Sequence, residues 1–264
     1  MFSKTKGNNM IFENIFRVAF SSTYTTLYAF ICSIIFCLIF QIFFLRKEAK
    51  KKGIKLSFFH YFGVYIFLFY VLVVFRITGV GTLWDIGHHN TIIRVSEIHL
   101  IPFSNLYFDL PFILLNIIMT IPLGFLLPLI WPEFRSLKKV AFTGFCFSLL
   151  IELSQLLNKR NSTVDDLIMN TLGAILGCLL FMIFFALVKS KKQFKITFRA
   201  NSPLIKHEAY IYLLCSFAGL FLLFNPHGAS DLAYIIDESY FSVQVRKVIL
   251  DGLSGVRNLV NTIL

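Results

Sequence analysis

The chain has 264 residues, 57% hydrophobic and 17% aromatic, with a mean hydropathy of +0.74, whereas an ordinary soluble domain is about 45–50% apolar. That excess argues against a soluble globular domain and places the chain in lipid. The formal charge of +11 raises nucleic acid as a partner. The basic residues, however, form short blocks between hydrophobic runs and not one groove-sized surface, so membrane topology accounts for them and no nucleic-acid partner is expected.

The amino-terminal stretch holds Glu13 and Arg17, and no small-residue cleavage pattern follows the first long apolar run, which is therefore expected to stay as a helix. A bilayer core of ~30 Å needs about 20 mostly apolar residues at ~1.5 Å per residue. Six stretches qualify, at approximately 24–45, 57–79, 111–131, 138–157, 168–188 and 209–225. The expected fold class is thus all-α, a polytopic transmembrane bundle of about six helices. Pro122 and Pro128 punctuate the third stretch, which predicts a kink whose freed carbonyls are satisfied by neighbours. The five cysteines (Cys32, Cys37, Cys146, Cys178 and Cys215) all lie inside apolar runs and read as packing residues.

Loop charge sets the orientation. Arg46, Lys47, Lys50, Lys51, Lys52 and Lys55 follow the first run against a single Glu48, and Lys189, Lys191, Lys192, Lys195, Arg199 and Lys206 follow the fifth. Both loops are expected in the cytoplasm, with Arg135, Lys138 and Lys139 on the same side. The termini and the 80–110 and 158–167 loops then face outward. In the tail, Val245, Val248, Ile249, Leu253, Val256 and Val260 recur at helical intervals, the pattern of an amphipathic helix on the outer leaflet.

An ionisable group inside a bilayer costs ~2.5–3.5 kcal/mol on insertion scales and calls for a partner, a cavity or a task. Glu152, near the outer end of the fourth span, shares a helical face with Ser148 and Gln155. A short turn carrying Arg160 leads to the fifth span, where Asp165 and Asp166 stand at a helix amino terminus that favours negative charge. Asp166, Asn170, Gly173 and Gly177 fall in one stripe, and the two glycines form a small-residue surface for close helix approach. The short turn makes spans four and five antiparallel neighbours, so Glu152 and Gln155 are expected to face Asp166 and Asn170. Asn116 and Thr120 of the third span join them, and Arg76 of the second is placed to pair with a carboxylate.

The ordered set His99-Leu100-Ile101-Pro102-Phe103, Asn116 with Ile121-Pro122-Leu123-Gly124, Ile151-Glu152-Leu153-Ser154-Gln155, Arg160, and Asp165-Asp166 with Asn170, Gly173 and Gly177 resembles the VanZ-like family. The resemblance covers roughly residues 60–190. It implies a helical membrane domain of the bacterial envelope, in a family whose type member is associated with teicoplanin resistance. Carried over by position, Asn116, Glu152, Gln155, Arg160, Asp166 and Asn170 match the polar signature, and Pro102, Phe103, Pro122, Gly124, Gly173 and Gly177 the structural one. Thr120 and Thr163 depart from it, standing where an aromatic residue and an extra acid are common. The chain then divides into 1–56 (amino-terminal segment, first span and basic loop), 57–190 (the VanZ-like membrane domain), 191–225 (basic loop and sixth span) and 226–264 (extracytoplasmic tail).

Each polar feature has two readings. Glu152 and Asp166 are either an acid and base pair in a partly dry pocket or interhelical hydrogen-bonding glue with Gln155, Asn170 and Asn116. Arg160 is either a fork for a phosphate or carboxylate or a snorkelling interfacial cation. His88, His89 and His99, with Asp85 and Glu97, invite a metal, yet no metal-ligand spacing is visible and neither metal nor cofactor is expected. The leading functional expectation is a cell-membrane protein whose outward polar site acts on, or shields, a lipid-linked wall component and so contributes to tolerance of teicoplanin-type glycopeptides. The alternatives are an intramembrane hydrolase or transferase with Arg160 as phosphate clamp, and a small proton-coupled transporter.

Overall fold

The computed structural model describes residues 24–54, 56–86, 98–99, 102, 106–158, 162–189 and 202–229. The chain forms two compact units, one of residues 1–28 with 225–264 and one of residues 29–224. In the first, the Asn225 side-chain oxygen accepts from the backbone N–H of His227 and Gly228, each at 3.0 Å. Most of the carboxy-terminal tail, the loop over 190–201 and the histidines at 88 and 89 lie outside the described residues.

The second unit is helical. Helix α1, Tyr24–Lys51, includes a π-helical stretch at Phe40–Leu45. Helix α2, Phe58–Thr78, starts at Ser57, whose hydroxyl accepts from His60 N–H, and stops at Gly79 in the left-handed region at φ 65°. Helix α3 spans Leu106–Ile130, α4 Leu137–Gln155, α5 Val164–Lys189, α6 Pro203–Lys206 and α7 Glu208–Leu223. Among the described residues, extended structure is limited to the two-residue strands β1 (Ile98–His99) and β2 (Ser162–Thr163), paired in parallel.

Helices α1, α2, α3 and α5 are long and apolar enough to cross a membrane. The fourth and sixth expected spans are also helices, but α4 carries Lys138, Lys139 and Glu152 within 19 residues and α7 has only 16. Lipid-facing stripes are plain on α3 (Leu114, Leu115 and Ile118) and α5 (Leu179, Leu180 and Ile183), all exposed. Helix α3 continues through Pro122 and Pro128. In the turn before Pro122, the Tyr70 hydroxyl of α2 donates to the Met119 carbonyl at 2.7 Å, the kind of neighbour support that proline in a membrane helix draws on.

Helices α3 and α5 share the largest helix-to-helix interface, and it is a contact of backbones. A Cβ on Gly124 would fall on the Ala174 carbonyl, one on Gly177 on the Ile121 carbonyl, and one on Gly173 on Thr120 Oγ1 and the Ile117 carbonyl. No flexible side-chain end is available to move aside at Gly124 or Gly177. In lipid there is little hydrophobic gain from helix association, so dispersion over such closely fitted surfaces carries much of it.

The helix ends sort by polarity. At one end Gln155 of α4 bonds the Thr78 carbonyl of α2, and Glu152 of α4 bonds the Thr163 N–H at the start of α5. At the other, Glu208 of α7 accepts from Trp131 Nε1 at 3.1 Å and bonds His60 Nε2 at 2.9 Å, while Glu48 accepts from Ser202 at 2.8 Å. The basic residues Arg46 to Lys52, Arg135, Lys138, Lys139 and Lys206 cluster toward this second end.

Gly177→Leu is expected to cost about 3 kcal/mol, the upper part of the range for overpacking, read as a lowered midpoint of thermal unfolding in detergent. Leu180→Ala, on the lipid-facing side, should leave that midpoint nearly unchanged.

Candidate functional site

The first turn of α5 reads Thr163-Val164-Asp165-Asp166, a helix cap followed three residues later by an acid. Thr163 Oγ1 accepts from the Asp166 N–H at 3.1 Å, as a capping threonine does. In a reciprocal capping box the acid would return the bond by accepting from the threonine's own N–H. Here Glu152, reaching from α4, accepts that N–H at 3.0 Å through Oε2. Asp166 is thereby released from the local box and accepts from Asn116 Nδ2 of α3. Two carboxylates on different helices thus converge on one helix amino terminus, where the macrodipole favours negative charge.

A ring of further bonds closes the site. Asn170 Nδ2 donates to Ser148 Oγ at 2.9 Å, between α5 and α4. Gln155 Nε2 donates to the Thr78 carbonyl at 2.7 Å and Asn158 Nδ2 to the Gly79 carbonyl at 2.8 Å, so the end of α4 caps the last turn of α2. Thr120 is buried and returns its hydroxyl to the Asn116 carbonyl at 2.9 Å, which steadies the turn carrying Asn116. The parallel pairing of Ile98 with Ser162 and His99 with Thr163 ties the segment before α3 to the same turn.

Glu152, Gln155 and Asn170 are buried at 8%, 5% and 2% exposure. Two amide oxygens, Gln155 Oε1 and Asn170 Oδ1, accept no hydrogen bond among the described residues. Their orientation is set by their partners: Gln155 must turn its nitrogen to a carbonyl, and the Ser148 hydroxyl, itself directed to the Asp166 carbonyl at 3.4 Å, accepts from Asn170. A buried carbonyl left unbonded costs ~1–3 kcal/mol, so a further donor at either oxygen would be favourable.

The residues named from sequence distribute as follows. Glu152, Asp166, Asn116, Asn170 and Ser148 meet at the α3, α4 and α5 contact, whereas Gln155 turns to α2 instead of Asn170. The Arg76 guanidinium lies over the Phe224 ring, 5.4 Å from its centre. Asp165 is half-buried in the first turn of α5, and Pro102 lies in an exposed turn. Pro122 and Gly124 belong to the α3 face that meets α5, opposite Gly177 and Ala174. Arg160 and Phe103 lie outside the described residues. Asp85 accepts from the Thr82 N–H at 2.7 Å, a local capping role.

Sequence reasoning treated Thr163 only as a departure and missed its cap, although the threonine-to-aspartate spacing of three is the signal for it. Asn158, which bonds the Gly79 carbonyl, is likewise not among the residues that sequence reasoning singles out.

The VanZ/LLP1 family profile matches residues 26–185 of the chain. No curated protein and no solved structure matches it.

The bond between Asn116 and Asp166 is expected to show a coupling of about 1–2 kcal/mol, toward the upper end for polar pairs between membrane helices. A double-mutant cycle of Asn116→Ala and Asp166→Ala, followed by unfolding in mixed micelles, measures it. Additive effects would mean the pair makes no net contribution.

Proposed function

This chain belongs to the VanZ/LLP1 family and is built on membrane-length apolar helices. On that premise we propose that it protects the bacterial envelope against teicoplanin-type glycopeptides by holding, through an outward-facing polar site, the headgroup of a lipid-linked wall component. The observation that carries the reading is the convergence of Glu152 and Asp166 at the head of α5, with the buried Asn170 oxygen one turn further along the helix accepting no hydrogen bond among the described residues. That set is rich in acceptors. It suits a ligand bearing hydroxyl and amide N–H groups, as sugars and peptides of wall precursors do.

Charge supports the sidedness of the proposal. The acids lie at the bundle end away from Arg46 to Lys52, Lys138 and Lys139, and the positive-inside rule favours that end outward. Arg160, in the turn between α4 and α5, is proposed to add a bidentate contact to a ligand phosphate. In this reading the carboxylates bind and orient, and protection comes from occupying the headgroup that the antibiotic would otherwise reach.

Glu152→Gln and Asp166→Asn, at unchanged membrane abundance, are each expected to bring the inhibitory concentration of teicoplanin down to that of cells lacking the protein. Leu153→Ala, on the exposed face of α4, should keep full protection. Full protection by both acid variants would remove the carboxylates from the function.

A further inference from the structure

A groove of about 530 Å³ runs between α4 and α7, away from the carboxylate site and largely outside what the proposed function uses. Its walls are Phe142, Cys146 and Leu150 from α4 and Leu213 and Leu214 from α7. From Phe142 to Leu150 the wall rises ~12 Å at ~1.5 Å per residue, the scale of an acyl chain lying along the helices and not of a compact solute. Beyond Thr143 at one end, the groups along that length are apolar.

One end of the groove is different. His207 and Tyr210 line it, and the Thr143 hydroxyl, which donates to the Lys139 carbonyl at 2.7 Å, reaches the Tyr210 hydroxyl at 3.3 Å and ties the two walls together. Lys138 and Lys139 stand one helical turn below Phe142 and Thr143 on the same faces of α4, and Lys206 adjoins His207; all four cations or potential cations are exposed. Both α4 and α7 begin here, so their macrodipoles add positive potential at the same end. The nearby acids do not cancel it. Glu208 is buried and turned inward to His60 and Trp131, and the charge of Glu133 is offset by that of Arg135.

From this match of an apolar channel to a cationic mouth we infer that the α4 and α7 groove is a binding site for an anionic phospholipid, its acyl chain along Cys146 and Leu214 and its phosphate among Lys138, Lys139, Lys206 and Tyr210. A zwitterionic lipid fills the same channel but gains less at the mouth, since each lysine near the surface favours net negative charge.

The full-length protein in detergent micelles, titrated with phosphatidylglycerol, with phosphatidylcholine of the same chain length and with glycerol phosphate, then observed by native mass spectrometry, tests this. Phosphatidylglycerol should be retained roughly tenfold better than phosphatidylcholine, and glycerol phosphate not at all. Lys138→Gln with Lys139→Gln should remove that preference while leaving chain binding. Cys146→Trp and Leu214→Trp, which fill the channel from opposite walls, should abolish retention of both lipids. A phosphatidylglycerol carrying a photoreactive acyl chain should label peptides of Phe142–Leu150 and His207–Leu214 in the unaltered protein, a readout independent of any variant's folding. Equal retention of the two lipids, retention of glycerol phosphate alone, or labelling elsewhere on the bundle would overturn the inference.

Discussion

The backbone-to-backbone approach of α3 and α5 is the constraint on which the rest of the bundle depends. Gly124, Gly173 and Gly177 let the two helices come so close that backbone meets backbone at Gly124 and Gly177, and Gly173 takes the Thr120 hydroxyl and the Ile117 carbonyl. Only at that separation does a side chain as short as asparagine, at position 116, reach a carboxylate as short as Asp166. The polar site is therefore a consequence of the packing below it. Larger residues at these glycines would part the helices and unmake the bond without touching either polar group.

A second consequence follows from how the start of α5 is satisfied. A helix amino terminus leaves backbone donors that need acceptors, and Thr163 with a local acid would meet that need within one turn. Because Glu152 takes part of the task from a neighbouring helix, Asp166 is available for α3. The exchange couples α3, α4 and α5 through one short segment. Disturbing Glu152 is therefore expected to be felt at Asn116, although no contact between those two is needed.

Much of this was legible in the amino-acid sequence, for specific reasons. Runs of twenty apolar residues identify membrane helices without any knowledge of their partners, and the α2, α3 and α5 spans lie within a few residues of their expected limits. Glu152, Asp166 and Asn116 stood out because polar groups are rare and costly in such runs. The small residues of α5 announced a close helix contact, but not that α3 would be the partner, since pairing depends on three-dimensional fit. The helical face of Gln155 gives the expectation that it looks toward Asp166 and Asn170, but not that its nitrogen bonds the Thr78 carbonyl. A backbone acceptor at a helix end carries no side-chain signature and cannot be seen in residue types. Glu208 escaped notice for a related reason: it sits at the edge of an apolar run, and only its contacts with His60 and Trp131 mark it as buried.

The central claim is that α3 and α5 bring positions 116 and 166 into side-chain contact within the membrane. Disulfide trapping in native membranes examines it most directly, using Asn116→Cys with Asp166→Cys in a background whose five native cysteines are alanine. Mild oxidation should join the peptides carrying these two positions, as read by mass spectrometry, while Leu115→Cys with Asp166→Cys, which puts one thiol on the lipid face, should stay unlinked. Absence of the first link, or equal formation of both, would contradict the account.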